Sequence, residues 1–166
     1  MITNELKQKN HKFRKEILSY LNMYPSGEKF LIAFLISRLS DFSPFYKYPY
    51  IYNFEYFVEP PNYSQYGKGD LILTSGRKYY LVVEAKYLRQ DSGKAAKKSR
   101  NNARNVVESQ AEKYARILKR QNPTFIVNYT NLTNDKSWRN EHPEFAEVFH
   151  EFQSLKMKEW KQKHLY

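Results

Sequence analysis

The chain contains no cysteine. Disulfides and thiolate metal centres are therefore excluded, and a reducing compartment suits it. Glycine is scarce, with five in 166 residues, and no glycine-rich phosphate loop can be drawn from them. The longest apolar stretch, Phe30 to Ile36, is too short to cross a bilayer. Met1 to Lys15 is polar and lacks an apolar signal core. An intracellular protein, cytoplasmic or nuclear, with no membrane partner is expected. Four histidines (His11, His142, His150 and His164) show no metal-ligand spacing, and no Ser-His-Asp pattern can be placed. Acidic residues are the minority charge, 17 against 28 Lys and Arg, so the net charge is +11.

That basic excess suits a polyanion, above all nucleic acid, although solubility alone also uses it. Its most concentrated run is Lys94, Lys97, Lys98 and Arg100, followed by Arg104. A phosphate-contacting loop, a solvated face and a nuclear import signal are the three readings of that run. At 20.0 kDa the chain is large enough for one domain with its own core. Oligomeric state is left open, a homo-oligomer included. Aromatic residues make up 17% of the chain, 15 of them Tyr and 11 Phe, which serve both packing and a wet groove.

The periodicity predicts a helix near 4–22, with Leu6, Phe13, Ile17 and Leu21 on one stripe. Ser26 is the expected N-cap of a second helix from about Gly27 to Ser40, apolar nearly all round and hence buried. Residues 42–50 read as a loop, and Ile51–Val58 as a strand ended by Pro60-Pro61. Two further strands, Asp70–Thr74 and Tyr79–Leu88, flank a turn at Ser75 to Lys78. A basic connection is expected to about Ala103, then a helix to about Arg120, a strand over Thr124–Tyr129 and a last helix over about 143–160. Pro143 sits in the first turn of that last helix, with Phe145, Val148, Phe149 and Phe152 on one face. The order α, α, β, β, β, α, β, α predicts an α/β protein: a mixed sheet covered by helices on its faces.

The hairpin carries the chemistry. Side chains alternate along a strand, so Glu84 and Lys86 share a face with Tyr80 and Val82, and Asp70 shares one with Ile72 and Thr74. A short turn that pairs Ser75 with Tyr79 also pairs Ile72 with Val82 and Asp70 with Glu84. Opposed side chains have Cβ atoms about 4.5–5.5 Å apart. Two carboxylates that close repel unless a proton or a cation lies between them. Mg²⁺ prefers hard oxygen ligands and keeps several waters. Asp70, Glu84 and the Ala85 carbonyl are the expected ligands, and Lys86 would hold or help deprotonate the attacking water. Gln110 and Tyr114, four apart, fall on the sheet-facing side of the next helix. A core-facing Gln needs hydrogen-bond partners. One backbone bond would satisfy it; the alternative is a polar link to the metal site, with Tyr114 reaching a phosphate oxygen.

Gly69-Asp70, Glu84-Ala85-Lys86 and Gln110-Ala-Glu-Lys-Tyr114 together resemble the PD-(D/E)xK nuclease superfamily, and the Gln-x-x-x-Tyr element resembles its RecB and lambda-exonuclease branch. The resemblance covers about 27–129 and matches the αβββαβ order of a restriction-endonuclease-like core, within a single domain over 1–166. It implies Mg²⁺- or Mn²⁺-dependent hydrolysis of phosphodiesters in DNA. It also implies that Asp70 and Glu84 bind the metal, that Lys86 serves the water, and that Gln110 and Tyr114 support the site. Two departures are present: Gly69, not Pro, precedes Asp70, and Gly27 directly precedes Glu28 instead of standing four residues before it. Glu28 is the candidate for the acidic ligand on the first core helix, or it only favours that helix's N-terminus through the dipole. Lys94, Lys97, Lys98, Arg100, Arg104 and Tyr114 are the candidate nucleic-acid contacts. A non-catalytic nucleic-acid-binding protein of the same fold and a basic protein–protein adaptor are the alternatives.

Overall fold

A computed structural model describes residues 2–22, 27–58, 67–88 and 91–135, and beyond them residues 139, 141–143, 145, 147, 149, 159 and 162. Ser26, Pro60, Pro61, Val148, Phe152, His150 and His164 lie outside the described residues.

Helix α1 spans Asn4–Ser19 and ends in a 3-10 turn over Tyr20–Asn22. Thr3 caps it, its hydroxyl accepting from the Leu6 N–H at 3.2 Å. Helix α2 spans Glu28–Ser37, and every residue from Phe30 to Ile36 is buried. An apolar run without a polar side can exist only with protein on all sides. Two short 3-10 turns, Leu39–Asp41 and Phe45–Lys47, lead into strand β1 at Tyr50–Phe57. Strands β2 (Lys68–Thr74) and β3 (Tyr79–Lys86) form the expected hairpin, helix α3 spans Lys94–Gln121, and strand β4 spans Ile126–Thr133.

The sheet order is β1-β2-β3-β4. The first two pairings are antiparallel and β3–β4 is parallel, with α3 as the crossover that a parallel pair requires. The molecule is thus α/β with a mixed four-stranded sheet. One face buries Ile51, Leu71, Leu73, Leu81, Val83, Ala85 and Leu132 against α1, α2, Phe145 and Phe149. The other packs Ile72, Tyr80 and Val82 against Tyr114, Ala115, Ile117 and Leu118 of α3.

Two expectations are corrected. The basic segment is not a connection: α3 begins at Lys94, not near Ala103, so the run forms its first turns. Ala, Lys and Arg are strong helix formers, and Gly93 ends the preceding loop at φ 108°. Strand β4 runs on to Thr133, because the parallel ladder continues as far as Lys86–Thr133.

Candidate metal centre and nucleic-acid interface

Hairpin register decides the site. Cα partners run from Thr74–Tyr80 to Leu71–Val83, and Ser75 closes the turn by donating to the Tyr79 carbonyl at 3.1 Å. Carried on by one pair, this register sets Asp70 opposite Glu84. There the side chains replace the ladder. The Asp70 N–H donates to Glu84 Oε1 at 3.0 Å, and the Ala85 N–H donates to Asp70 Oδ2 at 2.8 Å. Each carboxylate therefore spends one oxygen on the opposing strand's main chain. Both project from the α3 face of the sheet, as alternation from Ile72 and Val82 requires.

Burial governs their charge. Glu84 is only 2% exposed. Loss of water pushes its pKa up to about 8; Asp70, then Glu28, add to the rise, and the bond from the Asp70 amide opposes it. Asp70 is pushed up to about 6, first by burial and then by Glu28 and Glu55, against the Ala85 amide and Lys86. These are the signatures of a carboxylate pair short of positive charge.

Glu28 and Lys86 pair with one another, and their charges act on the carboxylates. Glu28 is the first residue of α2, and its Oε1 lies 2.7 Å from Lys86 Nζ. The acidic residue on the first core helix thus reaches the site's lysine, and its charge is felt at Asp70 and Glu84. On α3, Gln110 Nε2 donates to the Tyr114 hydroxyl at 3.1 Å. Burial raises the Tyr114 pKa, with Glu84 and Asp70 contributing, while the Gln110 bond opposes the rise. Tyr114 is buried against the sheet, and Gln110 finds its partner within its own helix.

Two residues were not foreseen from the sequence. Glu55 lies between the Phe54–Leu71 and Tyr56–Gly69 pairs, hence across from Asp70, with φ 46°. It is ion-paired with Lys29 at 2.9 Å. Tyr56 lies opposite Gly69, and its ring covers that glycine: a Cβ there would fall 2.3 Å from Cζ and 2.4 Å from the hydroxyl. Gly69 is glycine for space, and this also accounts for the absence of proline before Asp70. The Tyr56 hydroxyl is buried with no hydrogen-bond partner among the described residues. Such a group costs about 1–3 kcal/mol. An aromatic set across from a lone glycine was the signal available in the sequence.

The basic residues divide. Lys94, Lys97 and Lys98 are exposed. Arg104 instead pairs with the buried Asp135 at 2.7 Å, and Arg100 donates to the Asp91 carbonyl at 2.6 Å while lying 3.9 Å from Asp135. An open recess of about 350 Å³ beside Arg104, Tyr129, Asn131 and His142 lies outside the carboxylate cluster. Among the described residues no three His, Asp or Glu side chains already converge as a metal cage.

No protein-family model, no curated protein and no solved structure matches this chain.

Proposed function

We propose that the chain is a metal-dependent nuclease with a restriction-endonuclease-like core, hydrolysing phosphodiester bonds in DNA. One observation carries the reading: two carboxylates, Asp70 and Glu84, held across adjacent strands and withdrawn from water, with Lys86 and Glu28 beside them. Burying two such groups side by side is costly without a proton or a cation. Asp70 Oδ1 and Glu84 Oε2 remain after the main-chain bonds are made, and the Ala85 main chain adjoins them. Hard oxygen donors without His or Cys suit Mg²⁺ or Mn²⁺, and Mg²⁺ commonly takes only one or two protein carboxylates. Glu28 would add a further oxygen on releasing Lys86. When bound, the ion supplies positive charge that acidifies a neighbouring water and offsets charge growing on phosphorus.

The chain's own groups do the rest. Lys86, once freed from Glu28, holds the attacking water by hydrogen bonding. That water gives one proton to solvent, its oxygen bonds to phosphorus as the P–O bond to the leaving sugar oxygen breaks, and the leaving oxygen takes a proton from solvent. Gln110 orients the Tyr114 hydroxyl toward a phosphate oxygen. The first turns of α3 carry Lys94, Lys97 and Lys98. Lys97 lies thirteen residues before Gln110, about 20 Å along the helix axis, within reach of the same duplex.

Incubation with linear and circular, single- and double-stranded DNA in Mg²⁺, Mn²⁺ or EDTA tests the reading; cleavage in EDTA equal to that in metal would refute it. Lys86→Ala is expected to lower turnover by about 10²–10⁴-fold. Its thermal stability should barely change, because the Lys86–Glu28 pair is half-exposed and worth about 0–1 kcal/mol. Asp70→Asn keeps an oxygen for the Ala85 N–H, so it should fold yet lose Mn²⁺ binding by calorimetry.

A further inference from the structure

Tyr56 belongs to no element that the hairpin motif or the Gln110–Tyr114 motif contains, yet it reaches the same place. It starts on β1, crosses β2 over Gly69, and ends with its hydroxyl above the residue that precedes Asp70. The ring packs against the cluster of Ile72, Val82 and Tyr114 on the α3 face of the sheet, the face from which Asp70 and Glu84 project. The hydroxyl of Tyr114 approaches from α3 and lies 3.6 Å from where a Gly67 Cβ would be. The backbone of 67–69 is thus bare of side chains other than Lys68, and two tyrosines occupy the space. Tyr114 has its bond from Gln110, whereas the Tyr56 hydroxyl is shut off from water and has no partner among the described residues. The charges of Glu84 and Asp70 act on the Tyr56 hydroxyl, yet it bonds neither, so it is a donor held in place for an acceptor that turns toward it.

We infer that Tyr56 is a positioning residue for the carboxylate pair, its hydroxyl donating to Glu84 once a divalent cation lies between Glu84 and Asp70. The inference rests on the metal-binding part of the proposed function. A cation draws one oxygen from each carboxylate and leaves the ionised groups with spare lone pairs. A donor held rigidly against the sheet then fixes the angle at which Glu84 meets the ion. Outer partners of this kind tune ligand orientation and affinity. The ring is held independently of the hydroxyl by its packing on Gly69, so Tyr56→Phe removes the donor and leaves the wall in place.

The test is calorimetric titration of the whole chain with Mn²⁺ alone, alongside melting curves in EDTA. Tyr52→Phe is the control, since Tyr52 lies on the same strand but stacks edge-on to Tyr80 and Phe125. We expect Tyr56→Phe to weaken Mn²⁺ binding by about 10-fold or more. Its metal-free melting temperature should match or exceed that of the parent, and Tyr52→Phe should bind as the parent does. Equal Mn²⁺ affinity in parent and Tyr56→Phe would overturn the inference and leave the metal site standing. A clear loss of metal-free stability in Tyr56→Phe, or an equal loss of affinity in Tyr52→Phe, would also overturn it. A parent chain that binds no Mn²⁺ would instead remove the metal reading itself.

Discussion

Two carboxyl groups withdrawn from water set the pH response of this protein. Asp70 and Glu84 are held at about 6 and about 8, above their ordinary values of 3.8 and 4.5, chiefly because burial disfavours the charged form. A raised carboxyl pKa means the folded chain binds its proton more tightly than the unfolded chain does. The stability this confers is complete below the ordinary values and is lost as pH climbs through about 6 and then about 8. Melting temperature in EDTA should therefore fall from pH 4.5 toward 8, on the basis of these two groups. Mn²⁺ competes with those protons, so its stabilising shift should grow over the same window. Glu84→Gln should flatten the upper limb of the EDTA profile. A profile indifferent to pH in the parent chain would show that burial at this pair is not what the site is built on.

At the scale of the element, the cations of α3 fall into two sets. Lys94, Lys97 and Lys98 crowd its first turns, where the helix dipole disfavours cations. Arg100 and Arg104 turn back to Asp135 and Asp91 and tie the helix to the end of β4. The two sets should separate on mutation. Replacing Lys97 and Lys98 by Ala should lower DNA affinity about equally for unrelated sequences and flatten the salt dependence by about one unit per lost phosphate contact. Stability should hold or rise slightly. Arg104→Ala should instead cost about 2 kcal/mol in urea denaturation, since it removes a 2.7 Å charge-assisted bond from the buried Asp135. Unchanged affinity and salt slope in the double Lys variant would make the run a solvated surface.

The whole molecule is a sheet between unequal layers. The α1 and α2 side holds most of the large buried side chains, and the α3 side is smaller and richer in tyrosine. Residues far along the chain complete the larger layer. Phe145 and Phe149 are buried and stack on one another at 5.4 Å, and both meet the Phe34 ring edge-on, at 5.3 and 5.2 Å. Phe145→Ala is expected to destabilise the fold by about 3–5 kcal/mol by equilibrium denaturation. Its effect on Mn²⁺ affinity in the folded state should be small, because the carboxylates lie on the opposite face. The unequal layering places the charged pair on the side where tyrosine hydroxyls and Gln110 can meet it.

Local pattern was enough for much of this. The period-2 alternation around a four-residue turn places Asp70 across from Glu84, and the observed ladder follows that register. The all-apolar run of α2 announces a buried helix, and the element order announces a mixed sheet. These are properties of neighbours along the chain, and short-range geometry dictates them. What lies between distant segments was decided only by the tertiary structure. The Glu28–Lys86 contact joins residues 58 apart, and the Tyr56 ring fills a space that exists because β1 pairs with β2 at Gly69. The basic run's start as a helix, and the division of its cations between solvent and Asp135, depend on where β4 ends. Charge and hydrophobicity are written in the sequence, but burial is a property of the assembled layers. Burial is what turns Asp70 and Glu84 from an ordinary acidic pair into one that holds its protons well above the usual carboxyl range.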